Sequence, residues 1–503
     1  MAQLADTETT DFDVLIVGAG LSGIGAGHSL QTACPWASYA IFEARGAIGG
    51  TWDLFRYPGI RSDSDMHTLG YSFRPWDGQK SIADGDSILQ YIKDTATESG
   101  VDTHIRFNHR VTAADWSTPE SRWHITAERT DTNEIIHLSA GFIFSCSGYY
   151  RYDHGYLPHF EGMEDYDGTI VHPQAWPENL NLAGKRIVVI GSGATAVTLV
   201  PALARSAAHV TMLQRSPTYI ASMPERSPVV AMLRKVQPPR QAGTAAKWFH
   251  ALVTQAFYQV SRRYPELVRR ALLKGLARQL PPGYDIATHF TPHYNPWDQR
   301  FCAAPNADLF KSICAGTSSV VTDHIQRFTE RGLLLTSGRE LEADIIVTAT
   351  GLELLFLGGV ALSVDGAVVD PAARLTYKGM MLEGVPNMAV ALGYTNASWT
   401  LKCDLTCDYV CRLLNHMHHR GLTECVPRKG DAAVGSEPIL GLTSGYIRRS
   451  VHLLPKQGST YPWRVHQSYL RDYRALKMGE IDDSVMEFSG PAVLEEAAVA
   501  VAP

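Results

Sequence analysis

An apolar run from Val14 to Val17 enters Gly18-x-Gly20-x-x-Gly23 and then an alanine- and glycine-rich stretch, in "DFDVLIVGAGLSGIGAGHSL". This order of apolar run, glycine cluster and small-residue stretch predicts a buried strand, a tight turn and a helix. The succession recurs in "GKRIVVIGSGATAVTLVPAL", around Gly191-x-Gly193-x-x-Ala196. Further short apolar runs, "SYAIFEA", "HVTMLQRSPTY", "GFIFSCSGYY" and "ADIIVTATGLE", read as strands, and the last two close on small polar residues and Gly148 or Gly351. Strands alternating with helices predict an α/β fold. The two matching exits predict nesting: a first domain over 1–148, a second over 149–345, and a return over 346–503 that completes the first. A helical insertion is expected in the second domain at about 224–300.

The glycine spacing carries chemistry. The first glycine allows the turn, the second lets backbone approach a pyrophosphate, and the third lets the helix pack on the strand, so phosphate rests on the helix N-terminus. Glu43 stands twenty residues past Gly23 at the end of the next strand, where a carboxylate accepts hydrogen bonds from both hydroxyls of an adenosine ribose. Gly18, Gly20, Ser22, Gly23 and Glu43 are therefore candidate cofactor residues. In the second copy, Gly191, Ser192, Gly193, Ala194, Thr195 and Ala196 form the turn. No acid follows its next strand; Arg215 and Ser216 stand there instead, and a guanidinium suits a 2′-phosphate, which favours NADPH. A surface arginine after a strand is the plain alternative. Two Rossmann-like dinucleotide-binding domains are expected.

Composition narrows the partners. The chain has 503 residues, 45% hydrophobic and 19% charged, with net charge −6, so no basic excess recruits nucleic acid. The start, "MAQLADTETTDFD", lacks the basic and apolar regions of a signal peptide, and cytoplasm is the expectation. Ile187 to Ala204 is uncharged for eighteen residues but carries Gly191, Gly193 and Pro201, so it reads as strand, turn and helix rather than a membrane span. Eight cysteines include no CxxC pair, which argues against a metal or disulfide framework. Cys403, Cys407 and Cys411 share one helical face, where packing is the ordinary reading and a soft-metal site the alternative. From Pro224 to Leu280 the chain is basic, with Arg226, Arg234, Lys235, Arg240, Lys247, Arg262, Arg263, Arg269, Arg270, Lys274 and Arg278 against Glu225 and Glu266. A solvated helical face is the favoured reading there, with contact to an anionic membrane as the alternative.

The stretch "GGTWDLFRYPGIRSDSD", Gly49 to Asp65, concentrates aromatics, arginines and carboxylates after a glycine pair. Gly50, Trp52, Tyr57, Pro58, Gly59 and Asp63 match [AG]GxWxxxx[FY]P[GM]xxxD of the type I Baeyer-Villiger monooxygenases. "YDGTIVHPQAWP" matches that family's linker motif through Gly168, His172, Trp176 and Pro177, with Tyr166 where phenylalanine is usual. The chain resembles this flavin-dependent family over nearly its whole length, through "HYNPWDQR", "GYTNASWTLK" and "YLRD" as well, and is closest in motifs to the ethionamide-activating monooxygenases.

The resemblance implies FAD in the first domain and NADPH in the second, with O2 and a small ketone or sulfide as substrates. Arg300 is implied as the cation that stabilises a flavin C4a-peroxide and the ketone adduct, and Asp63 as the acid that orients it. Thr51, Trp52, Asp53, Leu54, Arg61, Ser62, Asp63 and Val111 are implied flavin contacts. Gln299 departs from the lysine often found there, so NADPH preference leans on Arg215. His172 is read as a hinge residue of the linker, with a titrating role as the alternative; Trp399 and Trp463 either close over the nicotinamide or substrate or pack in the core. Two other readings stay open: an N- or S-oxygenating flavin monooxygenase, and a flavoprotein reductase or oxidase. A disulfide reductase would need a cysteine pair near the first two glycine motifs, where none occurs.

Overall fold

The computed structural model describes residues 10–299, 301–430 and 433–490, without the side chains of Thr10 and Pro239. Its fold is α/β and rests on two sheets. In the first, strand Thr10–Val17 lies between Tyr39–Phe42 and Ile135–Ser145, both parallel to it, with Val14 opposite Tyr39 on one side and Phe142 on the other. Val14, Leu15 and Ile16 are fully buried, because a central parallel strand is covered on both faces. His109–Ser117 and Arg122–Arg129 extend this sheet as an antiparallel meander. Two much later segments, Ala361–Val364 and Met388–Val390, pair into the same sheet.

The second sheet is parallel throughout, in the order Ser318–Thr322, His209–Gln214, Arg186–Ile190, Ile345–Thr348, Thr169–Val171. All five strands fall in sequence between parts of the first sheet, so one Rossmann-like unit is inserted in the other. The uncharged run Ile187 to Ala204 resolves into strand Arg186–Ile190 and helix Ala194–Leu203. No helix among the described residues is long and apolar enough to cross a membrane.

A helical excursion leaves the second unit after Ile220–Met223 and returns at Cys302–Pro305, two strands that pair in parallel with each other. It comprises helices Pro228–Val236, Pro239–Arg263 and Pro265–Ala277, then the short Ile286–Phe290. The long helix lies back on the first unit. The Lys247 ammonium, almost wholly buried, donates to the Ser72 hydroxyl (2.7 Å) and to Asp404 (2.8 Å). Trp248 packs between Tyr469 and Tyr473.

Helix Trp399–Arg420 covers helix Leu21–Ala33, and its cysteine face is the buried one. Cys403 Sγ lies 3.4 Å from Ser22 Oγ, and Cys34 donates to the Cys411 carbonyl (3.4 Å). Beside this helix sits a buried ionic cluster. Lys402, 2% exposed, donates to Asp472, 3% exposed, at 3.0 Å, and the Tyr394 hydroxyl donates to the same oxygen at 2.7 Å. Removing one member of such a pair strands a charge in low dielectric. Lys402→Met is therefore expected to cost about 3 to 5 kcal/mol in urea unfolding of the holoprotein, and Lys402→Met with Asp472→Asn to recover a large part of it.

Candidate active site

The first glycine turn is shaped by what its backbone must touch. A Cβ on Gly23 would stand 1.8 Å from the Gly18 carbonyl oxygen, so only glycine lets helix Leu21–Ala33 close on the end of the strand. Gly50 has φ +55°, and a Cβ there would lie 3.1 Å from the Gly20 Cα. The two glycine turns thus meet backbone to backbone, tied by the Gly49 N–H donating to the Ala19 carbonyl at 3.0 Å. They form one floor.

Glu43 follows strand Tyr39–Phe42 and is 6% exposed. The Ala19 N–H donates to one carboxylate oxygen (2.8 Å) and the Arg45 N–H to the other (2.9 Å). Each oxygen keeps a free lone pair. Burial raises its pKa, against these backbone donors and the Arg45 charge. Such a carboxylate is built to take two more donors from a ligand that also displaces water.

Around this floor lies a cavity of about 950 Å³. Its wall includes Gly18, Gly20, Ser22, Glu43, Thr51, Trp52, Leu54, Arg61, Ser62, Asp63 and Val111, with Ala194 and Thr195 from the second unit. Asp53 is not on that wall. Its carboxylate, almost wholly buried, is held by Arg45 (2.6 Å) and Arg56 (2.6 Å), so it braces the loop from behind. Ser62 is locked to Ala83 in both directions: its N–H donates to the Ala83 carbonyl (2.9 Å), and its hydroxyl accepts from the Ala83 N–H (3.3 Å). Arg300 lies outside the described residues.

The loop after Leu54 reaches into the second unit. The Tyr57 hydroxyl bonds to the Thr195 side chain, and burial pushes its pKa up to about 12. A Cβ on Gly59 would meet the Ala202 side chain at 2.7 Å, so the chain here runs hard against helix Ala194–Leu203. Arg61 pairs with Asp308 and donates to the Ala303 carbonyl (3.4 Å). Gly49 to Asp65 is thus both cavity wall and interdomain strap, and its partners Thr195, Ala202 and Asp308 are too far along the chain for local spacing to show.

The second glycine turn is open. Nothing lies within 4 Å of a Cβ placed on Gly193, which leaves the N-terminus of helix Ala194–Leu203 accessible. The Ser192 hydroxyl donates to the Ser216 carbonyl (3.0 Å), joining the turn to the strand end that carries exposed Arg215. Ala196 is buried against the sheet. A residue missed in the sequence stands close by: Arg449, on helix Gly445–Ser450, lies 3.4 Å over the Tyr156 ring and against Gly351. Burial lowers its pKa, and the Arg215 charge adds to that. Nothing local to "GYIRRS" signals this position.

His172 Nδ1 accepts from the Gln174 N–H (3.2 Å), capping the turn Pro173–Ala175, and burial lowers its pKa. Trp399 lines the cavity, its indole N–H donating to Ser22 Oγ (2.8 Å). Trp463 is core, packed on Tyr377. A second cavity, of about 660 Å³, is lined by Tyr258 and Arg262 of the long helix and by Thr395 and Asn396. Tyr394 and Ala397, on either side of that pair, line the first cavity, so the segment 394–397 separates the two.

The model of the flavin-binding monooxygenase-like family matches residues 13–229. The FAD-containing monooxygenase EthA of Mycobacterium tuberculosis H37Rv is 55% identical over 482 residues, covering 96% of this chain and 98% of that protein. EthA of Mycolicibacterium smegmatis is 53% identical with the same coverage. The chain belongs to the flavin-binding monooxygenase family. A steroid monooxygenase solved with NADP has the same fold, with TM-score 0.75 over 96% of this chain at 21% identity. An open cyclohexanone monooxygenase superposes with TM-score 0.69 over 84% at 20% identity.

Because the floor is made by two glycine turns in contact, Gly50→Val forces them apart. The variant is expected to emerge folded but largely without flavin, read as the ratio of flavin to protein absorbance. Gly193→Ala, where space is open, should retain its flavin.

Proposed function

We propose that this enzyme is an FAD- and NADPH-dependent Baeyer-Villiger monooxygenase that inserts one oxygen atom of O2 into a ketone to give an ester or lactone, and also oxidises sulfides. The other oxygen atom leaves as water, with NADPH giving two electrons. The observation that carries this reading is the Gly49–Asp65 loop, which walls the Glu43 cavity and at the same time locks onto the second glycine-turn domain. Flavin and reductant sites so joined can share one reaction space.

The residues fit the cofactors. Glu43 offers two acceptor oxygens for an adenosine ribose, and the N-terminus of helix Leu21–Ala33 above Gly20 suits a pyrophosphate. Thr51, Trp52 and Leu54 present a wall for the flavin ring, with Val111 and Ser62 at further points on the cavity. Gly191, Gly193 and Ala194 receive the NADPH pyrophosphate, and Arg215 with Ser216 the 2′-phosphate. Bound FAD supplies the oxygen activation. The chain supplies a cavity lined by Trp399 and Tyr394, with the carboxylate of Asp63 on its wall, and Arg300 as the fixed cation for developing negative charge. Asp63 acts through Arg300 as a positioning acid. Substrates are small ketones or sulfides, met in the cytoplasm.

Purified protein incubated with NADPH, O2 and a ketone panel should yield ester in excess of hydrogen peroxide; peroxide alone would overturn the reading in favour of an oxidase. Arg300→Ala should keep FAD and lose ester formation by about a hundredfold or more while sulfide oxidation falls less, since loss of one preorganised electrostatic donor costs that much. Arg215→Ala should weaken NADP⁺ binding by about tenfold or more and leave NAD⁺ binding nearly unchanged, consistent with loss of a charge-assisted contact. Titration by fluorescence quenching reads the split.

A further inference from the structure

The helical excursion has two faces of opposite character. Toward the first unit, helix Pro239–Arg263 buries Lys247 and Ala251. Its outer face carries Phe249, Leu252, Val253, Phe257 and Val260, exposed by 37 to 49%. With the 3.6-residue period these side chains form one stripe, continued by Tyr264 and by Leu267, 64% exposed, at the start of the next helix. Met232 and Val236, a turn apart on helix Pro228–Val236, are exposed by 61% and 73%. A helix face that meets only water is polar, so this stripe runs against the pattern of a solvated surface.

The charges lie alongside. Lys235, Arg240, Arg263, Arg270, Lys274 and Arg278 are all exposed. Residues 224–280 hold eleven Lys and Arg against two acids, although the whole chain has net charge −6. The basic excess is thus confined to the segment that shows the apolar stripe, and the remainder of the molecule is strongly acidic.

We propose that the outer face of the excursion, helices Pro228–Val236 to Pro265–Ala277, seats the protein on an anionic lipid surface. The apolar stripe enters the boundary between headgroups and acyl chains, and the flanking Lys and Arg side chains reach the phosphates above it. Charge selects this occupant: two copies meeting on the same face would oppose two strongly positive surfaces, whereas an anionic bilayer neutralises one. With no helix among the described residues able to cross a membrane, the protein lies on the surface rather than in it.

Flotation of the FAD-loaded protein with phospholipid vesicles tests this. Vesicles of phosphatidylcholine containing phosphatidylglycerol should carry the protein at least about tenfold more strongly than phosphatidylcholine alone, with release at high salt. Phe249→Ser combined with Val253→Ser and Val260→Ser should float about tenfold less while keeping flavin absorbance and NADPH oxidation in solution. Arg270→Glu with Lys274→Glu, which leaves the apolar stripe intact, should weaken flotation on anionic vesicles independently. Wild-type protein that stays in the soluble fraction with anionic vesicles overturns the proposal, and so does undiminished flotation of both variants. A dimer seen by light scattering and abolished by the triple serine variant, without vesicle binding, would assign the face to a second copy and overturn lipid docking.

Discussion

The contact between the turns at Gly20 and Gly50 is the constraint on which the cavity depends. Two segments thirty residues apart approach backbone to backbone, a Gly50 Cβ having room for only 3.1 Å to the Gly20 Cα. Any side chain at this point would lift the second turn off the first. With Gly50 fixed, the one-turn helix Thr51–Leu54 and the strap beyond it are aimed along the cavity toward the inserted unit. There Tyr57, Gly59 and Arg61 find Thr195, Ala202 and Asp308. One close approach therefore sets both the shape of the cavity and the seat of the inserted unit.

Three buried carboxylates show how the same group is put to different uses by its donors. Asp53 has two guanidinium partners and Asp472 has an ammonium and a phenol, so each is held in place by protein groups and serves to brace the structure. Glu43 has only backbone N–H donors, one on each oxygen, and stands on a cavity wall. Capacity left over at a buried acceptor is costly unless a ligand takes it. That difference in saturation separates a carboxylate open to a ligand from two structural ones of similar burial.

Both glycine motifs, the strands before them and the position of Glu43 were legible in the sequence, because turn, strand and ribose acceptor are set by contacts within about thirty residues. The family resemblance likewise rested on short motifs, and relatives more than 50% identical over nearly the whole chain place it in that family. Asp53 was expected to face the flavin with its neighbours; which side of a one-turn helix a carboxylate takes depends on Arg45 and Arg56, and charge pairing turned it away from the cavity.

What the sequence determined by itself was thus local: two glycine turns, each between a strand and a helix, an acid after the first and an arginine after the second, and a basic helical insertion beyond them. Only the tertiary structure decided that the Gly49–Asp65 loop straps two domains together, that Arg449 comes over Tyr156 from the far end of the chain, and which face of helix Pro239–Arg263 is buried. The periodicity of that helix shows apolar residues around much of its circumference, so burial had to be assigned by what it meets. Lys247 is drawn inward by Asp404 and Ser72, Trp248 by Tyr469 and Tyr473, and Phe249, Val253 and Val260 are left outside. The physical reason is the same in each case: the deciding partner lies more than a hundred residues away, where spacing along the chain carries no information about distance in space.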